Sequence, residues 1–254
     1  MLYSIEDILE KKRKPLDSYG NSSVNSTKHE RTNMTPKILQ DVESYLKQYQ
    51  IDIHENVEGE GRGGSLVDEG TVKRALRKDE KLRPHILDKR PRGMADMEVL
   101  GYDKVTKHVT NIKTSLGNND NCFSKAGLVY ALTDLEPEDI PKSMNFIQMD
   151  DLINKHKADI PEKDYWYCCV DKKDSRNVLI RGAKQIATWT ININPSNILQ
   201  INWGKEKTLP PVQRTWEEAY DVLINNAKRS LNRFWANVPQ EWKSNYITMI
   251  VSMY

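Results

Sequence analysis

The chain has little cysteine: Cys122, Cys168 and Cys169 are the three in 254 residues, and no two sit at Cys-x-x-Cys spacing. That excludes a disulfide framework and a cysteine-built zinc site, and an odd set of reduced thiols fits an intracellular, cytoplasmic protein. Long apolar runs are missing too, so nothing reads as a membrane span, and no signal peptide is expected at the N-terminus. An excess of one charge is also lacking. Thirty-eight Lys and Arg face 36 Asp and Glu, for a net charge of +2. No global basic field announces a polyanion, so a nucleic-acid binder of this balance must gather its cations locally. The glycine-rich segment Glu58–Gly64 lacks the Gly-Lys-Ser/Thr ending of a phosphate-cradling loop. His108 has no metal partner at ligand spacing and reads as structural or surface.

What is present is a patterned chain of mixed helix and strand. Residues 20–33 form a polar loop rich in Ser and Asn. Thr35-Pro36 opens a helix through Gln50, with Ile38, Leu39, Val42, Tyr45, Leu46 and Tyr49 on one face. Ser65 is expected to cap a second helix through Lys81, with Asp68 and Glu69 in its first turns. Arg83 to Arg92 is extended and basic, holding Lys89 and Arg92, and is either a phosphate-facing segment or a solvated linker. Asn118–Asn121 reads as a turn and Ser124–Leu132 as a short apolar helix. Asp134–Lys163 is acidic and irregular, with a helical piece near Asp150–Lys157. Tyr165–Val170 is a continuous apolar run, as in a strand buried on both faces. Asn177–Arg181, Ile186–Ile193 and Ile198–Trp203 are further strands. Thr215-Trp216-Glu217-Glu218 is a capping box opening the longest helix, with Trp216, Tyr220, Leu223, Ile224, Ala227, Leu231 and Phe234 at helical spacing. The six tryptophans all fall in this half and are read first as core.

Chemistry concentrates in one hairpin. Met94 to Leu100 and Val109 to Thr114 read as two strands around a turn at Asp103-Lys104. Side chains alternate faces along a strand, so Asp96 and Glu98 share one face, as do Asn111 and Lys113. Centring the turn on Asp103-Lys104 sets Asp96 opposite Asn111, at the roughly 5 Å expected of paired residues. A carboxylate, an amide and a lysine then meet on one surface. The plain alternative is an amphipathic hairpin with solvated charges.

Asp96 followed by Asn111-Ile112-Lys113 resembles the PD-(D/E)xK nucleases, with Asn where the second acid belongs. The resemblance widens over residues 94–235. A short helical stretch, the strand Tyr165–Val170, the segment Asn194–Asn202 and the Arg214-Thr215-Trp216-Glu217-Glu218 helix start follow in the order seen in type II restriction endonucleases of the HincII, EcoRV and SwaI blunt-cutting group. The resemblance implies an α/β (α+β-like) restriction-endonuclease-like core, a central mixed β-sheet flanked by helices. It implies a single domain over 1–254, with a helical region for dimerisation and the DNA cleft over about 1–90 and the catalytic core over 94–235. It implies a bacterial or archaeal homodimer that hydrolyses double-stranded DNA at a short palindrome with Mg²⁺. Asp96, the residue at 111 and the main-chain carbonyl of Ile112 would hold the metal, a hard cation that prefers oxygen. Lys113 would stabilise the attacking water, and Glu69 would be an extra acid on the preceding helix. Asn197, Gln200 and Asn202 would read bases, with Lys89 and Arg92 at the DNA.

Asn111 is the departure from that pattern. It keeps an oxygen but loses the charge, so metal affinity should fall. Three readings are open: an inactivated form, a variant in which Glu69 or Glu98 supplies the missing carboxylate, and a DNA-binding protein without catalysis. A junction resolvase or repair nuclease on the same core is the enzymatic alternative.

Overall fold

A computed structural model describes residues 34–53, 62–88, 94–117, 119–160, 162–191 and 197–243, all within one unit spanning Arg31–Tyr254. Lys89 and Arg92 lie outside the described residues, as do the polar loop at 20–33 and most of the glycine-rich segment. The chain is mixed α/β. The first helices are α1 (Lys37–Gln48) and α2 (Arg62–Leu76), followed by strands β1 (Ile86–Asp88), β2 (Met97–Leu100) and β3 (Lys107–Ser115). Then come β4 (Asn119–Ser124), helices α3 (Lys125–Leu132) and α4 (Phe146–His156), and strands β5 (Trp166–Asp171), β6 (Val178–Gly182), β7 (Trp189–Ile191) and β8 (Asn197–Asn202). The four-residue α5 (Trp203–Glu206) and the long α6 (Trp216–Ala236) complete the order.

Five strands make the main sheet in the order β1-β2-β3-β5-β6. Every neighbour pair is antiparallel except β3 and β5, which run parallel. Parallel neighbours need a long crossover, and here it carries β4, α3 and α4. Alternation along β5 divides the core. Trp166, Cys168 and Val170 join Ile38, Leu39, Val42, Leu46, Val72 and Leu76 of α1 and α2. Tyr165, Tyr167 and Cys169 join Leu128, Leu132, Ile153 and the second sheet. Helices therefore cover both faces, which explains the unbroken apolar run of this strand.

The second sheet is antiparallel, in the order β4-β8-β7. Phe123, Trp189 and Trp203 from this region pack around Tyr167, with ring centroids 5.7 to 6.3 Å away. Leu223, Ile224 and Ala227 of α6 are buried in the same cluster. Thr215 caps α6: its hydroxyl accepts from Glu218 N at 3.2 Å, and the Glu218 carboxylate accepts from Thr215 N at 2.9 Å.

Several local expectations shift. Within the segment read as a turn, residues from Asn119 form β4, where pairing with β8 overrides the poor strand propensity of Asn and Asp. The second helix starts at Arg62, ahead of Ser65, and ends at Leu76, after which tight turns run to Leu82. The segment expected as a strand over Ile186–Ile193 pairs over Trp189–Ile191. α1 begins at Lys37, with Pro36 in the cap position.

Candidate functional site

The hairpin register fixes the site. Met97 pairs with Thr110 and Leu100 with Lys107. Asp96 N donates at 3.2 Å to the O of Thr110, the residue that Met97 already pairs with, so the regular register ends in a bulge-like step at Asp96. The turn is wider than two residues. Gly101 N donates to Thr106 O at 2.7 Å, closing a loop of residues 102–105. Lys104 takes a left-handed φ of 60° there, and Asp103 Oδ1 accepts from Val105 N and Thr106 N at 3.0 Å. The centre stays between Asp103 and Lys104, and the register is the expected one.

Asp96 is held from several sides. Its Oδ2 accepts the Ile112 N–H at 2.7 Å. N–H and C=O of one strand residue project to the same edge, so the Ile112 carbonyl is also directed towards the β2 side. The Ile112 side chain points away into the core under α1 and α2. From α2, the Glu69 carboxyl hydrogen-bonds the Asp96 carboxyl. One helical turn on, Lys73 Nζ donates to Asp96 O at 3.3 Å. Burial pushes the Asp96 carboxyl up, opposed by the Ile112 N–H, Lys113, Lys73 and the Glu69 hydrogen bond.

Asn111 carries the anomaly of the site. Its Oδ1 is buried and has no hydrogen-bond partner among the described residues. Buried polar oxygens nearly always find a donor, so an orphan of this kind calls for a ligand or a cost. Lys113, half-buried, stands two residues along the same face. Glu98, also on that face, is buried and lies close enough to Tyr130 to act on it electrostatically.

The sequence-chosen residues thus divide. Asp96, Ile112, Lys113 and Glu69 come together, with Asn111 next to Ile112 on β3. Gln200 and Asn202 lie on β8 of the second sheet. Gln200 pairs with Thr190 and Asn121, and the Asn202 side chain accepts from Lys205 N at 2.9 Å as the cap of α5. The Asn197 side chain lies outside the described residues. Lys73 went unnoticed in the sequence, although its i,i+4 relation to Glu69 places both on one helix face. His108 is buried, its Nδ1 has no partner among the described residues, and its ring meets Trp166 edge-on at 6.4 Å.

The oxygens of Asp96, Glu69 and Asn111 and the Ile112 carbonyl make an all-oxygen donor set, the chemistry of a hard divalent cation. Among the described residues no three of His, Cys, Asp and Glu converge to hold a metal. No protein-family model matches this chain, and no curated protein matches it.

Proposed function

We propose that this chain is a metal-dependent nuclease of the PD-(D/E)xK kind, acting on phosphodiester bonds of double-stranded DNA. The observation that carries the reading is the Asp96 carboxyl, held by the Ile112 N–H and bonded to Glu69, with the orphaned Asn111 Oδ1 one residue before Ile112 on the same strand. Two bonded carboxyls and an unsatisfied oxygen on the adjoining strand fit an Mg²⁺ site better than a solvated hairpin. Asp96 and Glu69 would hold the cation with two negative charges, and Asn111 and the Ile112 carbonyl would add neutral oxygens. What Mg²⁺ supplies when bound is charge stabilisation at the scissile phosphate and a lower pKa for water. Lys113, on the Asn111 face, orients the attacking water and offsets charge gained by the phosphate. Lys73 tethers the Asp96 main chain and keeps cationic charge beside its carboxylate.

The bond from Glu69 to the Asp96 carboxyl supports the reading in which Glu69 makes up part of the charge that Asn111 lacks. We further propose a type II restriction activity by a homodimer on a short palindrome, a finer assignment that rests on the sequence resemblance. The test is a digest of long mixed-sequence duplex DNA with Mg²⁺, using the parent chain and Asn111→Asp. Discrete reproducible fragments, stronger with Asn111→Asp, support a site-specific endonuclease. Cleavage confined to branched junctions or ends moves the assignment to a resolvase or repair nuclease. Intact DNA with both proteins sinks the catalytic reading.

A further inference from the structure

Positive charge in this chain gathers in two stretches, Lys11–Lys14 and residues 73–92. Residues 73–92 carry nine Lys and Arg against three Asp and Glu, a local excess of six. The whole chain is only +2, so everything outside that stretch is net −4. Within the described part, Lys73 and Arg77 are engaged by Asp88, at 3.8 and 2.8 Å. Arg74, Lys78, Lys81 and Arg83 are exposed, and none of the four forms an ion pair among the described residues. Their polar contacts are to neutral groups: Arg74 to the Thr71 hydroxyl at 2.8 Å and Lys78 to the Tyr49 hydroxyl at 2.6 Å.

The backbone fixes the direction of this set. Val72, Ala75, Leu76 and Leu82 are buried and leave the charged side chains outside. Turns continue past α2 through Arg77 N to Lys73 O at 3.2 Å, Lys78 N to Ala75 O at 3.0 Å and Arg83 N to Asp79 O at 2.9 Å. The series begins beside the candidate site, because Lys73, next to Arg74, donates to Asp96 O. Like charges on adjacent turns repel and do nothing for folding. A solvated helix face would share in the mixed charge of the rest of the surface; this one holds the excess that the remainder lacks.

We propose that Arg74, Lys78, Lys81 and Arg83 form a phosphate-binding track for duplex DNA, leading along the end of α2 and the following turns to Asp96. The inference rests on the reading in which duplex DNA is the partner. DNA presents one negative charge about every 1.7 Å of helix axis, and each cation seated on a phosphate releases condensed counterions. Each contact therefore adds about 0.9 to the slope of log affinity against log salt.

The test is binding of the metal-free protein to a short labelled mixed-sequence DNA duplex across a salt series. The parent is compared with the fourfold variant Arg74→Gln, Lys78→Gln, Lys81→Gln and Arg83→Gln. The variant should bind more weakly at every salt concentration, with a slope shallower by about 3 to 4. Its melting temperature should match the parent's, because all four side chains are exposed. A control, Lys142→Gln with Lys155→Gln, removes exposed charges elsewhere and should keep the parent's slope. A parental slope in the fourfold variant, or an equal loss in the control, overturns the track. A parent with flat salt dependence, or one that prefers an RNA duplex, overturns both the track and the DNA partner. Steep parental binding without cleavage, even with Asn111→Asp, removes the nuclease reading alone, and the track is then judged on the variants.

Discussion

Two carboxylates on or against α2 are treated in opposite ways. Asp68 is fully buried, yet Thr114 Oγ1 donates to its Oδ2 at 3.1 Å and Lys172 Nζ lies 3.3 Å from the same oxygen. Lys172 N in turn donates to Ser115 O at 3.0 Å, so the pair ties the helix to the ends of β3 and β5. Asp96, beside the next residue of that helix, bonds a second carboxyl, and the Asn111 amide oxygen on the adjoining strand has no donor among the described residues. The first arrangement completes itself within the fold. The second is left incomplete by it. A buried charge with its counter-charge is architecture, and it holds α2 where Glu69 and Lys73 reach Asp96. A buried oxygen without a partner marks a place where something else is expected to bind.

The largest effect should come from breaking the completed pair. Lys172→Met leaves Asp68 buried without the Lys172 ammonium beside it and should cost about 3 to 5 kcal/mol in denaturant unfolding. Lys172→Met with Asp68→Asn should recover most of that loss, since two neutral groups need no counter-charge. A single variant as stable as the parent would show that water reaches Asp68 and that the contrast with Asp96 fails.

Completing the incomplete site comes next. Asn111→Asp should raise Mg²⁺-dependent cleavage by about a hundredfold or more, the scale of removing or restoring one strong electrostatic contact in a site. Without metal the third carboxylate repels Asp96 and Glu69, so Asn111→Asp should lower the melting temperature in chelator and regain it as Mg²⁺ is added. A melting temperature indifferent to Mg²⁺ in this variant would count against the donor set.

Asp96→Asn should have a smaller effect on stability, opposite in sign to its effect on activity. Burial holds the Asp96 carboxyl above its ordinary pKa. A folded-state pKa above the unfolded one means that the carboxyl favours folding only at low pH. Its contribution is lost as pH rises through the unfolded and then the folded value. Asp96→Asn should therefore raise the unfolding midpoint at neutral pH while abolishing cleavage; a lowered midpoint would mean that the carboxylate serves the fold.

The smallest effect lies at His108. Burial holds its imidazole below the usual range. A lowered folded pKa means that neutral His108 is tolerated above the unfolded value of about 6.5, and stability falls as pH drops below it. His108→Phe should flatten that part of the stability–pH curve in urea titrations, leaving the curve above pH 7 unchanged.

Much of this was legible because it depends on short-range rules. Alternation and the turn centre were enough to set Met97 opposite Thr110 and Leu100 opposite Lys107, although the loop between the strands is wider than two residues. Thr215 with Glu218 announced α6, and the apolar run Tyr165–Val170 announced a strand buried on both faces. The failures share a cause. Asn119–Asn121 reads as a turn by its residues and becomes a strand because β8 offers its edge. The capping of α5 by the Asn202 side chain was not legible either, because a four-residue helix is invisible as a pattern. Lys73 lay among many lysines of a highly charged chain, and nothing local set it apart.

The sequence by itself determined which side chains could share a face, where the long helix begins and that positive charge is gathered over residues 73–92. Those follow from backbone periodicity and capping, which act over a few residues. Only the tertiary structure decided that α2 passes beside the start of β2, bringing Glu69 and Lys73 to Asp96. It also decided that Asp68 finds Lys172 while Asn111 finds no donor among the described residues. Those contacts join residues far apart in the chain, and they are set by how the helices and sheets bury their apolar faces against one another.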